Sequence, residues 1–324
     1  MYYFKGIQRN DLSKEDRMSS IGHVLLGFHW LVPVGIFIVV AFVGVRWLGK
    51  HLANQPDQIK RLLTNFGFCA AIATILAAFT DHLRFDVVMF GVFGIGVLNG
   101  VANIQVWRAT RTSLSKTSLL AFGDDIIAVL LSIAIIGDGQ YLNGLAVAGM
   151  TLCFAAGVLF WWHDASKKKQ ESSAFYTQVL IYSVLWGIAI FAERFYAYHA
   201  LPVVEFLFGW YGGSFAVMLV AFAWDRRHGG GTEAVSFNFK DYALVAVFAV
   251  SIMLCLAIAY WAFTLAPQTA VIPVLLAAEA TIPTIVGWTI FKERKLFDRW
   301  QWGFSALAIV GTILLGISLP RSIV

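Results

Sequence analysis

Apolar residues in this chain come in long runs, and polar residues gather in the short intervals between them. The runs cover about 21–47, 62–80, 85–107, 118–136, 141–162, 175–193, 201–224, 241–264, 268–291 and 300–319. Each approaches the roughly twenty residues that cross a hydrocarbon core of about 30 Å. No water reaches that depth, so the backbone must satisfy its hydrogen bonds inside each segment, and each run is expected to be a helix. The pattern predicts an all-α integral membrane protein with ten transmembrane helices.

Composition reinforces the pattern. Hydrophobic residues make up 59% of the 324 and charged residues 13%, about half the charge of an ordinary soluble domain. Mean hydropathy is +0.73. The 12 Trp and 27 Phe suit lipid-facing surfaces and interfacial belts. Residues 1–20 are polar and mixed in charge, with Lys5, Arg9, Asp11, Lys14, Glu15, Asp16 and Arg17, unlike a cleavable signal peptide. The longest later polar stretch, about 226–240 with Gly229, Gly230 and Gly231, reads as a flexible loop. Cys69, Cys153 and Cys255 all fall inside runs and read as small apolar packing residues.

The net charge of +5 does not point to nucleic acid, because the basic residues are distributed among short connections. Seven of the 24, including Arg84 and Arg194, lie on the side of the two tails. Seventeen, including Arg46, Lys50 and Arg61, lie on the other. The positive-inside rule then places both termini outside the cytoplasm, with an inner or plasma membrane as the expected location.

An internal duplication is the second signal. Leu119-Leu120-Ala121, Asp124, Gly137-Asp138, Gly149 and Gly157 recur as Leu275-Leu276-Ala277, Glu279, Lys292-Glu293, Gly303 and Gly311, at offsets of 154 to 156 residues. Each copy has a carboxylate early in a membrane helix, a second at its far end, a turn, and a helix with two glycines eight apart. Two halves of five spans have opposite orientations because five is odd, which is the inverted-repeat plan of many secondary transporters. The expected organisation is a tail at 1–20, a five-helix repeat at 21–165, a charged linker at 166–174, a second repeat at 175–319 and a tail at 320–324.

The stretch from about 241 to 319 resembles the C-terminal repeat of the EamA-like branch of the drug/metabolite transporter superfamily. The likeness rests on Ala259-Tyr260-Trp261-Ala262, Ala266-Pro267, Leu275-Leu276, Glu279, Pro283, Gly287-Trp288, Glu293-Arg294, Trp302-Gly303 and Gly311. Pro283 follows Glu279 by four positions instead of one, and Lys292 stands where the family carries glycine. The first repeat is a looser match through Ala109, Ser113, Ser115, Leu119, Gly137-Asp138 and Gly149. The resemblance implies a ten-helix carrier with a central cavity. Such carriers move amino acids, nucleotide sugars, nucleobases, choline-like amines or other small metabolites, often outward. It also implies both termini in the cytoplasm, against the charge count.

Chemistry concentrates at the deep polar residues, since an ionisable group at a helix centre costs at least about 2.5 kcal/mol. Glu279 lies near the middle of the ninth run, and Asp124 and Asp125 lie early in the fourth, none with a cation in its own run. Each must find a cavity, a partner on another helix or a proton. They are the leading substrate or proton-coupling groups, the plainer alternative being a protonated carboxyl that glues helices. Asn99 and Asn103 share a face, and Gly96 and Gly100 form a small-xxx-small pair, which suits either helix glue or a polar cavity wall. Pro283 frees the Glu279 carbonyl, and Thr281 and Thr284 flank it. Trp186, Tyr182, Tyr260 and Trp261 are candidates for stacking on a ring or amine, the plainer alternative for each being packing against lipid or a neighbouring helix. Glu193, Arg194 and Glu205 sit at run ends and read as interfacial, the arginine snorkelling, with a gate role for Glu193 as the alternative.

His23, His29 and Trp30 raise haem ligation, but the remaining histidines sit at run ends or loops, so no cofactor is expected. Metal motifs, nucleophile elbows and phosphate loops are absent from the sequence, so no catalytic residue is assigned. The expected function is secondary transport of a small polar metabolite such as an amino acid or amine, driven by a gradient or by protons. The alternative is a membrane enzyme or lipid-handling protein acting on a lipid head group, which would carry a cluster of ionisable groups at one interface.

Overall fold

The computed structural model describes residues 30–83, 85–165, 170–228 and 237–317. The N-terminal tail, His23, His29, Arg84, linker residues 166–169, the glycine tract and the C-terminal tail lie outside the described residues.

The helices are α1 Leu31–Ala53, α2 Gln58–Phe79, α3 Val87–Thr112, α4 Leu114–Ile135, α5 Gly144–Ala165, α6 Gln170–Tyr198, α7 Val203–Arg227, α8 Phe239–Leu265, α9 Gln268–Thr289 and α10 Arg299–Ile317. Among the described residues the first nine are long and apolar enough to cross a bilayer. This is the architecture of a multi-pass membrane protein. α10 forms as a helix where a tenth span is expected, but its first turn carries Arg299 and Gln301 and its description ends at Ile317.

Polar caps define several helix starts. Asp57 accepts from Lys60 N, Asp86 from Met89 N and Ser113 from Lys116 N, while Asn238 and Asp241 form a reciprocal capping box. Two helices depart from regular geometry. α1 widens into a π-helical stretch at Ile38–Val45, directly before Arg46. α4 breaks at Ala121 into Leu114–Leu120 and Phe122–Ile135. Asp124 and Asp125 therefore fall in the first turn of a helical segment inside the membrane, where the positive end of the helix dipole favours carboxylates.

Consecutive helices are joined by short connections, so their ends alternate between two faces of the bundle. α3 packs on α7 and on α6; α8 packs on α2 and on α1; α4 packs on α6, α9 on α1, and α5 on α10. Gly96 on α3 approaches the Trp210 carbonyl of α7, and Gly100 faces Ser214 and Val217. The expected small-residue contact is thus the α3–α7 seam.

The turns after α4 and α9 match. Each opens on a left-handed residue, Gly137 at φ 87° and Lys292 at φ 57°, and continues into a single 3₁₀ turn, Asp138–Tyr141 and Glu293–Leu296. A side chain costs about 1 kcal/mol or more in that conformation. Lys292→Gly is expected to raise stability by about 1 kcal/mol, read as a higher midpoint in thermal unfolding. A lower midpoint would mean that the Lys292 side chain contributes more than its backbone strain costs.

Candidate functional site

A cavity of about 200 Å³ lies inside the bundle, lined by residues from α1, α2, α3, α4, α6, α7, α8 and α9. Its polar residues include Arg46, Lys50, Asn99, Asn103, Asp125, Glu193 and Glu279. Trp186, Trp210, Tyr182 and Tyr211 form much of its aromatic wall.

Glu279 on α9 is buried, 8% exposed, and paired with Arg46 on α1. The expectation that it finds a partner on another helix holds. That partner was read as a loop residue; the first helix continues past the end of the run at 21–47 to Ala53, which carries Arg46 and Lys50 inside it. Of the adjacent aspartates, Asp125 lines the cavity. Asp124 is fully buried and accepts from the Asp125 backbone N–H at 2.9 Å. The second oxygen of each aspartate has no hydrogen-bond partner.

Asn99 and Asn103 combine both roles foreseen for them. Asn99 Nδ2 donates to Ser214 Oγ on α7 at 2.7 Å, Asn103 Nδ2 donates to the Asn99 side chain at 2.9 Å, and both residues line the cavity. Trp186 lines it too. Tyr260, Thr281 and Pro283 do not. The Tyr260 hydroxyl donates to the Leu201 carbonyl at 2.6 Å, and its ring packs on Phe206. Thr281 and Pro283 share α9 with Glu279 but lie off the cavity wall.

Glu193 and Arg194 lie inside the protein rather than at its exposed surface. Both are buried, at 5% and 7% exposure, on α6, which continues past the end of its apolar run to Tyr198. Arg194 does not snorkel; it enters one of two charge clusters that close opposite ends of the bundle. Glu205 is paired with His82 at 3.0 Å.

The first cluster is built on Glu293. Its carboxylate accepts from Leu114 N at 2.9 Å, Ser115 N at 2.8 Å and Ser113 Oγ at 3.0 Å, capping the N-terminus of α4. Lys50 Nζ lies 3.0 Å from the same carboxylate and donates to the Thr110 carbonyl at 2.6 Å, at the end of α3. The second cluster is built on Asp138. Its carboxylate accepts from Gln268 N at 3.1 Å, capping the N-terminus of α9, and from Ser132 Oγ at 2.6 Å. Arg194 Nε lies 3.4 Å from it, and Arg194 Nη1 donates to the Phe263 carbonyl near the end of α8. Each cluster thus joins a helix start, a helix end, a turn and a cation from a further helix. Gly287 belongs to the first cluster: a Cβ there would meet Ser115 Oγ and Glu293 Oε2.

Glu293 lies outside the spans. Burial raises its pKa, but Lys50 and the Ser115 and Leu114 N–H groups outweigh burial and hold it below the ordinary glutamate range. A carboxyl held low in the folded state adds stability above its unfolded pKa and loses it as pH falls through the folded value. Glu293→Gln is therefore expected to lower the thermal midpoint at neutral pH, and by progressively less as pH drops below about 4.3. Unfolding scans of both proteins from pH 7 to pH 3 check this; a gap that does not narrow contradicts it.

Neither a protein-family model nor a curated protein matches the sequence. Eleven chains of solved structures match it. One, described only as "Crystal structure of protein", superposes with a TM-score of 0.57 over 94% of this chain and 100% of its own, at 17% identity. At that identity the likeness establishes a shared fold.

Proposed function

We propose that this protein is a secondary carrier of the EamA-like type that moves a small polar metabolite by alternating access. One observation carries the proposal: a charged, aromatic cavity lies between two chemically equivalent latches at opposite ends of the bundle. Exchanging α1–α5 with α6–α10 converts Lys50–Glu293–Thr110–α4 into Arg194–Asp138–Phe263–α9. The same exchange carries the α3–α7 contact onto α8–α2, α3–α6 onto α8–α1, and α4–α6 onto α9–α1. This supports two inverted five-helix repeats with α10 as the tenth span.

Two such repeats can rock against one another about the cavity between them. Opening one latch frees one end while the other holds, so the cavity faces one side at a time. The broken α4 places Asp124 and Asp125 at a helix start within the membrane, as broken helices do at carrier sites. Glu279 is the coupling group: its pair with Arg46 holds in one state and exchanges for a proton or substrate in the other. Arg46, Lys50, Arg61 and Arg194 are engaged in ion pairs with other helices or turns and are set aside as loop charges. Without them the charge count is fourteen against six, which still favours termini outside the cytoplasm.

The test is flux from proteoliposomes loaded with amino acids, amines, nucleobases and sugars under a pH gradient, read by mass spectrometry. One compound class is expected to appear outside with the wild-type protein, and Glu279→Gln is expected to abolish its proton-driven movement without loss of folded protein. Wild-type proton-driven flux in Glu279→Gln removes the coupling role, and no flux of any class removes the carrier.

A further inference from the structure

We propose that Glu193 and the aromatic wall beside it form a binding site for an organic ammonium ion, a compound with a fixed positive head and an apolar body. The inference rests on the carrier reading only in making that ion the cargo.

α6 presents Tyr182, Trp186, Ile190 and Glu193 to the cavity, at spacings of four, four and three that place them along one helical face. Trp186 stacks near Tyr182, with centroids 6.0 Å apart and planes at 29°, and meets Trp210 of α7 edge-on at 6.3 Å and 80°. Glu193 is buried, its Oε1 has no hydrogen-bond partner, and among the described residues no cation lies within ion-pair distance of it. Its sequence neighbour Arg194 is engaged by Asp138 and the Phe263 carbonyl.

The balance of charge points the same way. The cavity has two cationic residues, and both are occupied: Arg46 by Glu279 and Lys50 by Glu293. Of the three carboxylate residues on the wall, Asp125 and Glu193 have no ion-pair partner among the described residues. A buried carboxylate without a counter-ion is costly, and a ligand that brings the positive charge removes that cost. Indole and phenol faces attract a cation within about 6 Å of the ring and tolerate the apolar groups around it. Phe66, Phe248, Ile252 and Leu256 supply the apolar remainder of the wall. An anion would meet two unpaired carboxylates and no free cation. The site therefore reads charge at Glu193, and Glu279 is left for coupling.

The test is calorimetric titration of the purified full-length protein with three probes of similar size: benzyltrimethylammonium, phenylacetate and benzyl alcohol. Saturable binding of the quaternary ammonium alone is expected, with quenching of tryptophan fluorescence. Glu193→Gln is expected to weaken it about tenfold or more, and Trp186→Leu several-fold. Glu205→Gln, off the cavity wall, is expected to leave it unchanged. Equal binding of phenylacetate or benzyl alcohol, wild-type affinity in Glu193→Gln, or no binding of the ammonium by folded protein overturns the assignment. Should Glu193→Gln not fold, Glu193→Asp and Trp186→Leu apply the same criterion. Ammonium binding without flux removes the carrier and keeps the site; flux of an uncharged or anionic compound without ammonium binding does the reverse.

Discussion

Replacing Arg46 with methionine is expected to destabilise the protein and abolish transport together. The substitution leaves Glu279, 8% exposed, without its counter-charge. Breaking a buried pair from one side costs about 3–5 kcal/mol. The Arg46 side chain is 20% exposed to the cavity, so solvent offsets part of that, and about 2–3 kcal/mol is expected. Glu279→Gln alone leaves Arg46 unpaired but able to reach cavity water, so its cost is smaller. The double variant Arg46→Met with Glu279→Gln is expected to recover most of the stability and none of the coupled flux. Thermal unfolding of the three proteins in one detergent reads the coupling between the two sites. Additive losses would show that the pair contributes nothing to the fold.

The second large effect belongs to the latches. Glu293→Ala strips Lys50 of its partner and leaves the Leu114 and Ser115 N–H groups uncapped in a buried turn. Asp138→Ala does the same to Arg194 and Gln268 N at the other end. Each is expected to cost about 3–5 kcal/mol, the range for an uncompensated buried charge. Each is also expected to lower the transport rate at least about tenfold, since a latch weakened by 1.4 kcal/mol or more shifts a two-state balance that far. The milder Glu293→Gln and Asp138→Asn keep hydrogen bonding and separate the effect on gating from that on folding. Equal stability with full transport in both would reduce the latches to ordinary turns.

The all-helical, multi-pass fold was legible in the sequence, because hydropathy acts over long stretches. Glu279 and the adjacent aspartates stood out through depth alone, and the correspondence of Asp138 with Glu293 was visible at the offset of 155. What those two carboxylates do was not, because capping a helix that starts 130 or 179 residues away leaves no local pattern. Arg46 and Lys50 were assigned to a loop because the first apolar run ends near them. Their spacing of four, which puts both on one helical face, was the available signal that the helix continued. The burial of Glu193 and Arg194 was hidden in the same way: the helix outlasts its apolar run by more than a turn. Tyr260 was chosen as an aromatic able to stack on a ring or amine, with packing as the alternative, and only the fold could show that its hydroxyl is taken by Leu201.

The most direct test of alternating access uses Cys255, which lines the cavity between the two latches. Cys69 and Cys153 are buried away from it. In sealed vesicles of known orientation, a membrane-impermeant trimethylammonium thiosulfonate is applied from one side or the other, and modification of Cys255 is read by peptide mass spectrometry. The account predicts that Glu293→Gln increases modification from the face that carries the Lys50 cluster, and that Asp138→Asn increases it from the opposite face. Increases on the same face for both variants, or no change in accessibility from either face with either variant, would contradict a carrier gated by two latches.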